Sequence, residues 1–144
     1  MKVPFVDLKT QYHSIKDEIN NSIQDVFTNT AFIQGKAVTH FEENFAELID
    51  VSNCIAVANG TDALQIALRA LGIKAGDEVI VPANSFIATS ESVSALGAKV
   101  CFVDNDAKTY NIDCNLLESS ININTKAIII VHLYGECSDI KKIK

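Results

Sequence analysis

The sequence predicts an α/β protein: an open, mainly parallel sheet with flanking helices, preceded by two amphipathic helices. Three observations carry this. Short, nearly all-apolar runs recur after residue 50, helical stretches separate them, and residues 1–50 instead repeat their apolar side chains at steps of three and four. Alternating strand and helix signals are the pattern of βαβ units, whose strands are buried on both faces and therefore read as continuous apolar runs.

In chain order, Leu8, Tyr12, Ile15, Ile19, Ile23 and Phe27 gather on one face of a first helix. Lys16, Asp17, Glu18, Asn20 and Asn21 form its solvated face. Gln34-Gly35 marks a loop, and Val38, Phe41, Phe45, Leu48 and Ile49 restore helical spacing up to about Asp50. Strands are expected at residues 54–58, 78–81, 100–103 and 127–133, with helices at 63–71, about 87–96 and, more weakly, 116–120. Gly72 and Gly76-Asp77 form the return loop before the second strand, and Gly97 ends the helix that follows it. With no repeat, low-complexity tract or Pro/Gly linker, residues 1–144 read as one domain, a helical segment at 1–50 leading into a core at 51–144. Four parallel strands make a small sheet whose uncovered edges remain open to pairing.

Composition narrows the function. At 144 residues, 48% hydrophobic and 21% charged, the chain falls in the range of a soluble globular domain. A domain of this size buries roughly 70% of its unfolded surface, so no metal or disulfide is needed to hold it. The 12 basic residues against 18 acidic ones leave a net charge of −6, which argues against nucleic acid as a partner. Cys54, Cys101, Cys114 and Cys137 form no CxxC pair and have no histidines at ligand spacing, so no metal site is expected. Cys54 and Cys101 sit in apolar runs, where a free thiol behaves as a small buried hydrophobe. Scattered cysteines of this kind point to the reducing cytoplasm. The N-terminus has an early acid, Asp7, and no apolar h-region, and no stretch approaches the roughly 20 apolar residues of a membrane span, so membrane association is not expected.

In an open α/β sheet, ligands sit at the carboxyl ends of the strands, so the segments just after each strand carry the candidates. After the first run comes Asn59-Gly60-Thr61-Asp62-Ala63-Leu64. Gly60 lets the backbone approach a ligand, Thr61 offers a hydroxyl and an amide, and the start of a helix there would favour a phosphate. The plainer reading, that Thr61 or Asp62 simply caps the helix, stands beside it. After the second strand, Phe86 follows a short polar turn and could lie flat on a planar heterocycle, although a lone phenylalanine more often packs under the next helix. The fourth run leads into Val131-His132-Leu133-Tyr134-Gly135, where His132 could donate a hydrogen bond or move a proton; a lone histidine near a sheet is more often structural. No catalytic triad or carboxylate pair can be assembled.

Taken in order, Phe32-Ile33-Gln34-Gly35, Asn59-Gly60-Thr61-Asp62-Ala63-Leu64, Gly76-Asp77-Glu78-Val79-Ile80-Val81-Pro82, Phe86-Ile87-Ala88-Thr89, Phe102-Val103-Asp104, Thr109-Tyr110-Asn111-Ile112-Asp113, Thr125-Lys126-Ala127-Ile128 and Val131-His132-Leu133-Tyr134-Gly135 form one series. That series resembles the DegT/DnrJ-type sugar-nucleotide aminotransferases, members of the fold-type-I class of pyridoxal-phosphate (PLP) enzymes, from about Phe5 to the final lysines. Each motif alone is modest, and their shared order and spacing make the resemblance specific.

The resemblance implies that the chain is part of the large, PLP-binding domain of such an enzyme. Gly60 and Thr61 would hold the cofactor phosphate, Phe86 would stack on the pyridine face, and His132 would be a substrate contact. The Phe32–Gly35 turn would lie near the active-site mouth. The implied reaction moves an amino group from glutamate to a nucleotide-linked keto sugar, with 3-keto-6-deoxy sugars best matched, in a homodimer. Family members continue well past this length with an acidic partner for the pyridine nitrogen, a Schiff-base lysine and a small C-terminal domain. Lys126 precedes its strand, and Lys141, Lys142 and Lys144 read as an exposed basic tail. PLP needs an amine as covalent anchor, so the 144 residues alone are expected to be inactive. The alternatives are a non-catalytic phosphate- or PLP-binding or oligomerisation module, and a related PLP-dependent sugar dehydratase.

Overall fold

In the computed structural model, which describes residues 3–144, the apolar steps at the start of the chain become two helices, α1 (Leu8–Thr28) and α2 (Lys36–Leu48). Asp7 starts α1 by accepting a 3.0 Å hydrogen bond from the Thr10 amide, which satisfies one of the orphan donors at a helix start. The turn between the helices requires glycine at 35: a Cβ there would meet the Ala31 Cβ at 2.8 Å and its carbonyl oxygen at 2.9 Å. These helices belong to a compact unit that ends at Ala56; a second unit spans Val57–Lys144. Within the first unit the apolar stripe is largely uncovered, with no buried residue on α1 and only Ala46 buried on α2. No helix among the described residues is long and apolar enough to cross a membrane.

The second unit runs α3 (Gly60–Ala70), β1 (Glu78–Pro82), α4 (Ala88–Ser94), β2 (Lys99–Val103), α5 (Cys114–Ser120), β3 (Thr125–Ile128), a 3-10 turn (Leu133–Gly135) and α6 (Ile140–Ile143). Its three strands are parallel in the order β2-β1-β3. The central strand is buried on both faces, as its apolar run Val79-Ile80-Val81 predicts. Val79 and Val81 pack with Leu68 of α3, Val93 of α4, Ile73, Ala98 and Ile129, whereas Ile80 packs on the opposite face with Val103, Ile112 and Leu117. The period of two along a strand makes this division.

Glu78 fastens the starting ends of all three strands. It is 3% exposed and accepts from Lys99 Nζ on β2 at 2.7 Å, from Thr125 Oγ1 on β3 at 3.3 Å and from Asn122 Nδ2. The Lys99 ammonium, then Asn122, hold its carboxyl below the usual glutamate range.

Several expectations change. Residues 54–58 do not form a strand: among the described residues nothing pairs with them, Ile55 is 79% exposed, and the Ala56 amide bonds instead to Glu42 Oε1 at 2.7 Å. The sheet therefore has three strands and not four. The last run pairs only through Ile128, followed by a bond from the Ile129 amide to the Ile80 carbonyl at 2.8 Å. The next rung of a parallel ladder would need the backbone N–H of residue 82, which is proline. Helix α4 ends at Ser94, short of 96, whereas α5 begins earlier, at Cys114, because the Asp113 side chain accepts from the Asn115 amide at 2.8 Å. The expected basic tail is partly ordered as α6, with Lys142 Nζ bonded to Asn115 Oδ1 at 2.8 Å and Ile143 against the second core cluster. Cys54 and Cys101 are half-buried and not buried, and all four thiols are free.

Candidate functional site

Helix α3 lies on the Val79/Val81 face of the sheet through Leu64 and Leu68. Its C-terminus leads through residues 71–77 to the start of β1, so it runs antiparallel to that strand and its N-terminus lies at the carboxyl end of the sheet. The helix is capped by Asn59, and not by Thr61 or Asp62 as the plainer sequence reading allowed. Asn59 Oδ1 accepts from the Asp62 amide at 2.9 Å, and Asn59 Nδ2 donates to Asp62 Oδ2 at 3.1 Å. The Ala63 amide then donates to the Asn59 carbonyl at 3.0 Å, the first intrahelical bond. The Gly60 and Thr61 amides are left without an acceptor among the described residues, at the positive end of an 11-residue helix. A Cβ on Gly60 would meet nothing within 4 Å, so the approach to these amides is open.

Phe86 follows β1. The Ala83 amide donates to the Val103 carbonyl at 2.8 Å, a last rung along β2, and the Asn84 amide then donates to Asn105 Oδ1 at 2.9 Å ahead of α4. The ring is 76% exposed, so it does not pack under the helix. Burying it would take an added surface, which a flat heterocycle can supply.

His132 follows β3, the neighbour of β1 in the sheet, so Phe86 and His132 leave adjacent parallel strands at the same edge. The imidazole is exposed. Its Nδ1 accepts from the Ser138 amide at 3.0 Å, and Ser138 Oγ donates to the Val131 carbonyl at 3.1 Å. The structure thus brings the Gly60–Thr61 amides, Phe86 and His132 to one edge of the second unit. The Phe32–Gly35 turn belongs to the first unit.

Two residues at this edge were given no role from sequence, although Asn111 lies within the Thr109–Asp113 motif. Asn105 and Asn111 lie on the loop between β2 and α5, and their side chains reach the segments carrying Phe86 and His132. Asparagines in a loop next to a strand end do not tell a brace from a turn residue. The same loop is shaped by Asp106, which accepts from the Thr109 and Lys108 amides, each at 2.9 Å; those two bonds hold its carboxyl below the usual aspartate range. A cavity of about 310 Å³ beside this loop is lined by Asp106, Asn111, Asp113, Glu136 and Asp139 among others, but by none of Gly60, Thr61, Phe86 or His132. The strand-end edge is an open surface within this unit and not a closed pocket.

Residues 13–144 match the model of the DegT/DnrJ/EryC1/StrS aminotransferase family. The chain belongs to that family. It is 50% identical over 137 residues to the UDP-2-acetamido-2-deoxy-3-oxo-D-glucuronate aminotransferase of Pseudomonas aeruginosa, covering 95% of this chain and 38% of that protein. It is 43% identical over 141 residues to the dTDP-3-amino-3,6-dideoxy-alpha-D-galactopyranose transaminase of Aneurinibacillus thermoaerophilus, covering 98% and 39%. Among solved structures, S. venezuelae DesV in complex with a ketimine intermediate superposes with a TM-score of 0.95 at 38% identity, over 99% of this chain and 38% of that one. NtdA from Bacillus subtilis with bound cofactor PMP gives 0.93 at 38% identity, over 99% and 33%. The fold is therefore that of the fold-type-I aminotransferases, and the chain spans about two fifths of the length of the curated relatives it matches.

Proposed function

We propose that the protein carrying this chain is a PLP-dependent aminotransferase that moves an amino group from glutamate to carbon 3 of a nucleotide-linked 3-keto sugar. The carrying observation is the pair of unengaged amides, Gly60 and Thr61, at the open start of α3. They suit a phosphate ester, since an anion there gains two hydrogen bonds and the favourable end of the helix dipole. The exposed ring of Phe86 at the same edge suits the pyridine face. PLP, when bound, supplies an aldehyde carbon to carry the amino group and a ring that takes up the electron pair released at the substrate carbon. This chain's residues bind and orient: Gly60 and Thr61 anchor the phosphate, Phe86 sets the ring plane, and His132 offers a polar contact to the sugar. The names of relatives support carbon 3, since a 3-oxo or 3-amino group recurs in them. Those names differ at carbon 6, a uronate in one and a 6-deoxy sugar in another, so the 6-deoxy preference read from the sequence is one of two options.

The test is formation of 2-oxoglutarate by the full-length protein given PLP, glutamate and a UDP- or dTDP-linked 3-keto sugar. Turnover with the sugar omitted, or none with it present, overturns the reading. We further propose that the 144 residues alone do not turn over. Lys126 Nζ is bonded to the Ile123 carbonyl at 3.1 Å at the opposite end of the sheet, and Lys142 to Asn115. Any 2-oxoglutarate from the isolated 144-residue polypeptide refutes this. The uncovered apolar faces of α1 and α2, including Phe27, Phe41 and Leu48, support a homodimer, checked by sedimentation of the full-length protein. Four free thiols support a cytoplasmic location, checked by fractionation.

A further inference from the structure

The loop between β2 and α5 touches both segments that carry the aromatic and imidazole candidates. From one end of it, Asn105 Oδ1 accepts from the Asn84 amide at 2.9 Å, two residues before Phe86, while Asn105 Nδ2 donates to the Tyr110 carbonyl of its own loop. From the other end, Asn111 Oδ1 accepts from the Leu133 amide at 3.1 Å and Asn111 Nδ2 donates to the Glu136 carbonyl at 3.1 Å, so one side chain spans the turn that follows His132. A backbone bridge between Asn105 and Ile112 joins the two ends. Asn111 is 5% exposed, and a buried amide with both ends engaged is hard to displace.

The turn it spans is not one the chain adopts freely. Tyr134 has φ 56° and Gly135 φ 85°, and Tyr110, beside Asn111, has φ 60°. Left-handed tyrosines persist only where their surroundings over-determine them. Here the Tyr110 and Tyr134 rings meet edge to face with centroids 5.8 Å apart, which adds a contact to the two asparagine bonds. That turn also places the Ser138 amide 3.0 Å from His132 Nδ1. A ring nitrogen that accepts a hydrogen bond carries no proton, so the neutral imidazole bears its hydrogen on Nε2. Nε2 has no partner among the described residues.

We propose that Asn105 is a positioning residue for the Phe86 segment and Asn111 one for the His132 segment, and that the Asn111-braced turn holds His132 as the Nε2–H tautomer, a donor to an oxygen of the substrate. The substrate half of this rests on the aminotransferase reading; the brace and the tautomer do not.

The test uses the full-length protein labelled with ¹⁵N-histidine and ring-¹³C-phenylalanine, with no ligand. In the wild type, the neutral His132 ring should show a protonated Nε2 and a bare Nδ1. Asn111→Ala should shift the His132 ring signals and leave Phe86 in place. Asn105→Ala should shift the Phe86 signals more than those of His132, which it reaches only through the Tyr110 carbonyl. An Nδ1–H tautomer in the wild type overturns the proposal whether or not any variant folds. So does an Asn111→Ala variant that moves Phe86 as much as His132, as general loosening would, or a pair of variants that move neither ring. Failure of the transaminase assay leaves these spectra unaffected and bears on the proposed function alone.

Discussion

Replacing Phe86 by alanine separates a cofactor platform from a core residue. A fully enclosed phenylalanine removes about 150–250 Å² from water. With 76% of Phe86 exposed, only about a quarter of that, roughly 50 Å², is covered. At about 25 cal/mol per Å² the contacts that Phe86 makes within residues 3–144 are worth about 1.2 kcal/mol, whereas a phenylalanine in the core would cost about 3–5 kcal/mol. Losing the stacked ring removes about 0.5–1.5 kcal/mol from PLP binding beyond the area term, a weakening of about twofold to tenfold. Phe86→Tyr keeps the flat face and should bind PLP nearly as the wild type does. Urea denaturation of the cofactor-free full-length protein gives the first quantity and a PLP titration by absorbance the second. A loss of 3 kcal/mol or more in the Ala variant with unchanged PLP affinity would show the ring to be structural and refute the stacking argument.

Three further outcomes are expected. Ile80→Ala, at a fully buried site in the central strand, should lower stability by about 2–5 kcal/mol; a denaturation midpoint close to that of wild type would mean that the sheet is not the core. Asn59→Ala should cost about 0.5–2 kcal/mol by uncapping α3. Asn59→Asp keeps the acceptor for the Asp62 amide but loses the donor to Asp62 Oδ2 and sets two carboxylates side by side, so its stability should fall below wild type; its charge beside the Gly60 and Thr61 amides should weaken PLP binding, and a PLP affinity equal to that of wild type would count against a phosphate there. Because the folded-state carboxyl of Glu78 sits below its ordinary value of 4.5, the stability it contributes is complete above that value and is lost as pH falls through the folded-state one. Lys99, raised above its ordinary 10.5, contributes fully below that value and loses its share only as pH rises through the folded-state one. Urea midpoints taken from about pH 7 down to about pH 3 should therefore fall more steeply in wild type than in Glu78→Gln, and parallel curves would refute the linkage.

Much of the second unit was legible before any coordinates. β1 and β2 lie where the apolar runs at 78–81 and 100–103 put them, each one residue longer; β1 is buried along its length, as such a run predicts, whereas β2 at the sheet edge leaves Phe102 60% exposed. The run at 54–58 is just as apolar and forms no strand. Local pattern reports readiness to pair, whereas pairing requires a second strand that the pattern does not contain. The early end of β3 was encoded in Pro82, but that proline acts on Ile129, which lies beside it only once the register is set.

The candidate site divides in the same way. By itself the sequence determined the α/β pattern and the two leading helices, and it marked the segments Asn59–Leu64, Phe86–Thr89 and Val131–Gly135 as candidates, since periodicity and turn residues are properties of neighbours along the chain. Only the tertiary structure decided that Asn59 caps α3 and leaves the Gly60 and Thr61 amides open, that Phe86 stands exposed, and that Asn105 and Asn111 brace the segments around it. Asn59 reaches an amide only three residues away, yet Asn, Thr and Asp all compete for that role in sequence, and backbone angles choose among them. The brace bonds join residues 21, 22 and 25 positions apart, and they exist because parallel strands deliver those residues to the same edge. Separations of that length are set by strand register, which no local run of side chains records.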